Sequence, residues 1–391
     1  MSLKGYSLSY YILCVIALLA MFATSLTNPL LAIFAKEIGA TGVWIGFAVA
    51  AYWVSRVLLE IPSGVLSSKY GYYTPMVLGL ILTALGSAVC MYVSDPIQLV
   101  LGRALQGLGA PLFFAVSMTF IVNLFPIERR GGAMGVFQGI EFFGNILGSA
   151  FSGYLITAFG FQGGFLLATI LVVTSIILIV APKNVRAESR AQPRMASIPL
   201  SSLPKVFRNK TLLIVSSATL AEFIMSTGVL YTVFPLHANE GLGFSLADIG
   251  LLMGARSVGY VGAMLAMGAV ADRVGRRPVL IFGLASTAVM IVALSFVSSF
   301  LGILILMGVL GVTTGAIWIV CPVLAAEAVD PSLRGAAIGT YRTFFDLGSI
   351  FGPITMTWVF SAYGITPCFY LSGVLLVLNL IPSLMIKETK R

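Results

Sequence analysis

Long apolar runs recur from one end of this chain to the other, and they restrict its fold more than any other feature. Breaks at Pro, Gly and clustered charge delimit twelve of them, at 11–35, 43–66, 74–93, 97–124, 133–158, 163–182, 211–235, 246–270, 277–297, 300–326, 335–360 and 367–386. Each is close to the roughly 20 residues that a membrane-spanning helix needs. The runs are continuous rather than alternating, which excludes the dyad pattern of a membrane β-barrel. Of 391 residues, 59% are apolar and only 9% are charged, whereas soluble domains carry about 25% charged residues. A soluble enzyme and a disordered chain are both excluded, and no stretch remains for a separate soluble domain of about 100 residues. The expected class is an all-α integral membrane protein. The first run lacks a small-residue cleavage site and continues past Met21 to Ile33, so it reads as a retained helix rather than a signal peptide. Cys14, Cys90, Cys321 and Cys368 fall inside apolar runs without metal-ligand spacing and read as small apolar residues.

One connection is long, polar and basic. It spans 183–210 and predicts a cytoplasmic linker between a six-helix bundle at 1–182 and a second at 211–391. The two halves repeat. At a shift of 204 residues, Gly39, Gly46, Gly64, Gly71, Gly79, Gly107, Gly131, Gly135, Gly144, Gly148 and Gly160 each land on another glycine. Chance overlap predicts about two such coincidences; internal repeats of this kind mark many transporter folds, with the substrate site near the midplane between them.

The basic residues set an expected topology. With both termini in the cytoplasm, 18 of the 23 Lys and Arg residues fall on the inner side, Lys36 alone falls outside, and Arg56, Arg103, Arg256 and Arg342 lie within runs. The net charge of +9 is then a topology signal and predicts no nucleic-acid partner. The expected location is the plasma (inner) membrane.

Between the eighth and ninth runs stands Gly268-Ala269-Val270-Ala271-Asp272-Arg273-Val274-Gly275-Arg276-Arg277. It resembles the G-x-L-A-D-R-x-G-R-[RK] loop of the major facilitator superfamily. The corresponding segment between the second and third runs keeps Gly64 and Gly71, but Ser68 stands where the acid is expected, and Tyr72 and Tyr73 stand where the bases are. The fourth run carries Arg103, Gln106, Gly107 and Gly109, similar to the family's R-x-x-Q-G-x-G signature. In the fifth run, Gly135, Gly139, Gly144 and Gly148 resemble the glycine pattern of drug antiporters, although Asn145 replaces the usual proline. The resemblance covers the whole chain. It implies two pseudo-symmetric six-helix bundles and secondary transport by alternating access, usually proton-coupled. It also implies a gating role for the loop motif, with Asp272 accepting hydrogen bonds from helix N-terminal amides or from a nearby arginine. Glu60, just before Pro62, is assigned to the same gate.

Ionisable groups at bilayer depth are costly and mark function by default. Eight are found: Arg56, Glu60, Arg103, Glu141, Glu222, Arg256, Arg342 and Asp346. The third, sixth, ninth and twelfth runs have none, and these are the outer helices of the resembled fold. Burial favours the neutral form of a carboxyl group, so Glu222, then Asp346 and Glu141, are the candidate proton carriers. Arg56 and Arg256 are nearly equivalent under the 204-residue shift and would form a clamp for carboxylate or phosphate. Alternatively, each pairs with a local acid such as Glu141 or Glu222. Arg342 and the aromatic residues Trp318, Tyr231 and Tyr341 are further cavity candidates.

No catalytic triad, phosphate-binding loop or metal spacing is present, so neither an enzymatic activity nor a cofactor is expected. The reading is a monomeric secondary transporter that uses a small-molecule substrate and protons and exports drug-like compounds or metabolites. Transport of small organic anions is the alternative, and a non-transporting sensor on the same fold the third reading.

Overall fold

The computed structural model describes residues 7–192, 208–330 and 333–386. The basic residues Lys4, Arg194, Lys205, Lys387, Lys390 and Arg391 lie outside the described residues, as does most of the expected linker.

All regular elements among the described residues are helical. The first run forms α1 (Leu8–Thr27), a 3-10 turn (Asn28–Leu30) and α2 (Leu31–Glu37). Then follow α3 (Val43–Tyr70), α4 (Tyr73–Met91), α5 (Pro96–Leu124), α6 (Ile127–Val180) and the short α7 (Lys183–Ala191). The seventh run is built from α8 (Lys210–Phe223), a π-helical segment (Ile224–Val233) and α9 (Phe234–Glu240). The chain continues with α10 (Leu246–Val274), α11 (Arg276–Ala293), α12 (Phe300–Glu327), α13 (Arg334–Tyr363) and α14 (Ile365–Ser383).

Ten of these helical stretches are long and apolar enough to cross a membrane, against twelve expected. One of the ten, 129–180, carries a break at Gly160 (φ 69°, ψ 173°) that separates the fifth and sixth runs. The stretch Arg334–Tyr363, which holds Arg342 and Asp346, is not among the ten.

Short polar residues between the apolar runs start the helices. Asp95 accepts from the Ile97 amide and Asn209 from the Leu212 amide, and Ser245 with Asp248 forms a reciprocal capping box; each satisfies amides that a helix start leaves open. The glycine repeat has two structural causes. First, Gly39 and Gly243, Gly71 and Gly275, and Gly160 and Gly364 all adopt positive φ, a conformation in which a Cβ is disfavoured. Each pair is 204 apart. Second, equivalent glycines allow equivalent close approaches. A Cβ on Gly107 would strike the Tyr52 carbonyl, and one on Gly311 would strike the Arg256 carbonyl. Positions 52 and 256 are again 204 apart. Likewise Gly79 meets the Gly109 carbonyl and Gly283 the Thr313 carbonyl.

The chain forms two compact units. In the first (residues to 28 and 51–197), α1 packs on α6, and α4 packs on α5 and α6. Tyr10, Phe113, Phe120 and Phe137 are buried in its apolar core, and the Tyr10 hydroxyl donates to the Ala133 carbonyl at 2.7 Å. In the second (29–50 and 198 onward), α10 packs on α12, α13 packs on α8 and the π segment, and α11 packs on α12 and α14. Gly46, in the second run, allows that run to sit directly on the Pro353 carbonyl of α13.

Candidate functional site

A buried network of charged and hydroxyl groups lies in the second unit, where α8 passes into the π segment. Glu222 is 4% exposed. One turn on, the Ser226 hydroxyl donates to Glu222 Oε1 at 2.8 Å. From α10, Arg256 Nη2 donates to the same Ser226 oxygen at 2.5 Å, and Arg256 Nη1 donates to the Tyr231 hydroxyl at 3.0 Å. The guanidinium lies 5.0 Å from the centre of the Tyr231 ring, a cation–π contact. A hydroxyl has one hydrogen and two lone pairs, so Ser226 can give its proton to the carboxylate and accept from the guanidinium. The two opposite charges compensate each other through this one oxygen. Of the two local readings of Arg256, the partner is thus Glu222, reached indirectly.

The backbone explains how these groups come together. In the first unit, Gly144 and Gly148 face the carbonyls of Leu18 and Phe22; in the second, Gly348 and Gly352 face those of Leu220 and Ile224. The partners in the first and seventh runs are therefore offset by 202, whereas Gly39 and Gly243 further along are offset by 204. The seventh run holds two more residues than the first between these points. A π turn closes over one residue more than an α turn, so the ten-residue π segment absorbs the excess in about two turns. The insertion sits directly after Glu222 and carries both Ser226 and Tyr231. The contact between the Arg256 carbonyl and Gly311 fixes the other side, because it draws the Arg256 turn of α10 against α12.

An aromatic cluster adjoins the carboxylate. Phe223 lies 4.1 Å from Phe345 and 5.7 Å from Trp318, and Trp318 lies 6.5 Å from Tyr341, measured between ring centres. Trp318 and Tyr341 are thus brought together. Asp346 follows Phe345 on α13 and is 1% exposed; Arg342 stands one turn before it and is half-buried.

The first unit holds a different network. Arg103 is 2% exposed. Its Nη1 donates to Gln106 Oε1 at 2.7 Å and its Nη2 to Asn28 Oδ1 at 2.9 Å, and the guanidinium stacks 5.1 Å from the Tyr52 ring. Gln106 passes the chain on to the Ser87 hydroxyl at 2.9 Å. The fourth-run signature is therefore a packing and hydrogen-bonding unit: Gly107 admits α3, and Arg103 with Gln106 ties α5 to the end of α1 and to α4. Arg56 Nε is 3.6 Å from Glu60 Oε2 and lies over the Trp53 ring at 5.3 Å. Glu141 is half-buried on α6. Arg56 and Arg256 are each engaged inside their own unit.

The loop motif between α10 and α11 is anchored within the second unit. Gly268 has open space where a Cβ would stand, and Gly275 (φ 99°) makes the turn. Arg276 lies 3.5 Å from Asp272 and 3.3 Å from Glu327 at the end of α12. Arg277 donates to the Leu384 carbonyl after α14. Arg273 is exposed. In the degraded copy, Gly64 is likewise unobstructed and Gly71 makes the equivalent turn; there Ser189 of α7 supplies the polar contact, accepting from the Tyr72 and Tyr73 amides.

Sequence reasoning missed Ser226, Glu327, Asn28 and Ser189. Ser226 had a signal, since a hydroxyl four residues after a buried acid shares its helix face. Asn28 and Ser189 had none, because their partners lie 75 and 117 residues away.

A family model described as Major Facilitator Superfamily matches residues 13–236 and again 217–391. The multidrug resistance protein MdtG of Proteus mirabilis is 25% identical over 375 residues, covering 92% of this chain and 90% of that protein. Multidrug resistance protein 2 of Bacillus subtilis is 23% identical, covering 95% and 93%. Among solved structures, a bacterial homologue of the human lysosomal transporter Spinster, in an inward-facing and unoccupied conformation, superposes with a TM-score of 0.80 at 13% identity, covering 98% of this chain and 97% of that one. That likeness is one of fold.

Proposed function

The chain belongs to the major facilitator superfamily, and from that premise we propose that it is a proton-coupled secondary transporter that exports drug-like compounds or metabolites. It is an integral membrane protein of a transporter family, and the multidrug resistance proteins among its relatives support the substrate class. The observation that carries the coupling is the buried chain Glu222–Ser226–Arg256–Tyr231.

With Glu222 ionised, Ser226 donates to it and Arg256 finds its counter-charge through the same hydroxyl. Protonation of Glu222 removes the negative charge and frees the Ser226 hydrogen to turn. Arg256 is then a buried cation without an anion, an arrangement that costs several kcal/mol and drives rearrangement. The proton and the Arg256 contact thus compete for one carboxylate, which is the elementary requirement for linking proton binding to a conformational equilibrium. The π segment is the backbone element best suited to respond, since it carries two of the four members. Phe223, Trp318, Tyr341 and Phe345 supply an apolar, flat-sided surface next to this switch. We assign both termini to the cytoplasmic side of the inner membrane on the distribution of the basic residues, and read the transporter as a monomer.

The test is flux in proteoliposomes. Ethidium uptake into inverted vesicles should follow an imposed pH gradient, and Glu222→Gln should abolish that dependence while leaving downhill ethidium movement. Gradient-driven flux that survives unchanged in Glu222→Gln would sink the proposal.

One observation favours the organic-anion alternative. Arg256 Nε is buried and, among the described residues, finds no hydrogen-bond acceptor, so that donor remains for a carboxylate or phosphate. In that case Arg256→Ala removes anion-dependent flux, and ethidium is not moved at all.

A further inference from the structure

The helix α7 begins three residues after α6 ends, at the border of a membrane-spanning run. Two of its residues, Val185 (0% exposed) and Ser189 (5%), are buried. The Ser189 hydroxyl accepts from the amides of Tyr72 at 3.1 Å and Tyr73 at 3.0 Å. These two residues stand at the start of α4. One end of α7 is therefore tied by the backbone to the close of α6, and the other by Ser189 to the opening of α4. The helix is held at the level where two membrane spans terminate.

Its charges are sorted around its axis. At about 100° per residue, Lys183, Arg186 and Arg190 fall on one flank of the buried face, and all three are exposed or half-exposed. Glu188, the helix's acid, falls on the other flank. Among the described residues no carboxylate pairs with any of the three cations. The Arg186 guanidinium lies 5.8 Å from the Tyr73 ring. At the end of α3 beside them, Lys69 Nζ lies 5.2 Å from the ring of Tyr70, which is 56% exposed.

We propose that this basic edge binds the headgroups of anionic phospholipids in the adjoining leaflet. Three features select a lipid over a soluble anion. The cations stand at the end of membrane spans, where headgroup phosphates are concentrated. Tyrosines accompany them, as is usual at a membrane–water interface. The cations also lie along an open helix edge, which suits a row of phosphodiesters rather than one enclosed ligand. The proposal is independent of the transported substrate. Its consequence is that lipid charge holds α7 against the first unit, through Ser189, at the start of α4.

Native mass spectrometry of the full-length protein, purified in an equimolar mixture of dioleoyl phosphatidylglycerol and dioleoyl phosphatidylcholine, tests this. The protein should retain phosphatidylglycerol preferentially, and Lys183→Gln/Arg186→Gln/Arg190→Gln should reduce that preference by about fivefold per residue neutralised. Arg186→Lys/Arg190→Lys should keep it, because charge rather than guanidinium shape is needed. Should the triple variant not yield folded protein, the wild type in 1 M salt serves instead, where a screening length of about 3 Å should erase the preference. Equal retention of the two lipids by the wild type overturns the proposal, as does an unchanged preference in the folded triple variant or at high salt. Displacement of the lipid by millimolar glycerol 3-phosphate or by an acidic peptide also overturns it, and reassigns the edge to a soluble anion or a protein.

Discussion

Lys36 and Glu240 are 204 residues apart, the offset of the internal repeat, and Lys36 Nζ lies 2.6 Å from the Glu240 carboxylate. The same position in the two repeats thus carries opposite charges, and the two copies pair with each other. Identical charges at this place would repel. The repeat is symmetric in its glycines and complementary in this charge.

The pair is exposed at 46% on each side, so its removal should change stability by only about 0.2–1 kcal/mol. Lys36→Glu should lower the melting temperature slightly, and Lys36→Glu/Glu240→Lys should restore it. A thermal series in detergent at low and high salt checks this; no recovery in the swapped double variant would show that the contact does not form.

Ser226 is expected to matter as much as the charges it joins. Ser226→Ala leaves a buried carboxylate and guanidinium without their shared partner, a loss of roughly 1–3 kcal/mol. Thermal unfolding should show this penalty, and proton-driven flux should fall with it. The double variant Glu222→Gln/Arg256→Gln removes both charges and should recover much of the stability but none of the proton dependence.

Arg103 should not tolerate a conservative change. Its two terminal nitrogens reach Gln106 and Asn28 at once, and a lysine ammonium cannot span both while stacking on Tyr52. Arg103→Lys is therefore expected to destabilise the first unit measurably, with fluorescence-monitored unfolding as the readout. A melting curve that coincides with the wild type would refute this reading of the signature arginine.

Gly107→Ala and Gly311→Ala should behave alike, since each Cβ would strike a carbonyl at a helix crossing. Overpacking of this kind costs typically about 1–3 kcal/mol. Gly64→Ala and Gly268→Ala, where the space is open, should be close to neutral. Melting temperatures of the four variants compare directly.

Much of the architecture is legible in the amino-acid sequence. The family, the membrane class and the repeat follow from apolar run lengths, the loop motif at Gly268–Arg277 and the glycine spacing, because each reflects a local requirement: enough apolar length, a positive φ, or room for a backbone. Four of the charges within apolar runs, Arg103, Glu222, Arg256 and Asp346, are buried, and they are legible because a charge in an apolar run stands out whatever surrounds it. The span count is less so. The fold has one continuous helical element across the fifth and sixth runs, interrupted by Gly160, and a charged stretch at Arg334–Tyr363.

Partnership is not legible. Counting along the chain places Arg256 one helical turn from the equivalent of Arg56, but it does not reveal the hydroxyl of Ser226 between Arg256 and Glu222, the carboxylate of Glu327 on Arg276, or Ser189 at the start of α4. Sequence alone determined which residues are apolar, which glycines recur at one offset, and which charges fall within apolar runs, because these depend on residue type and local spacing. The tertiary structure decided which buried charge meets which partner. That depends on the register between helices far apart in the chain, and here a two-residue excess taken up by a π segment sets that register in the seventh run.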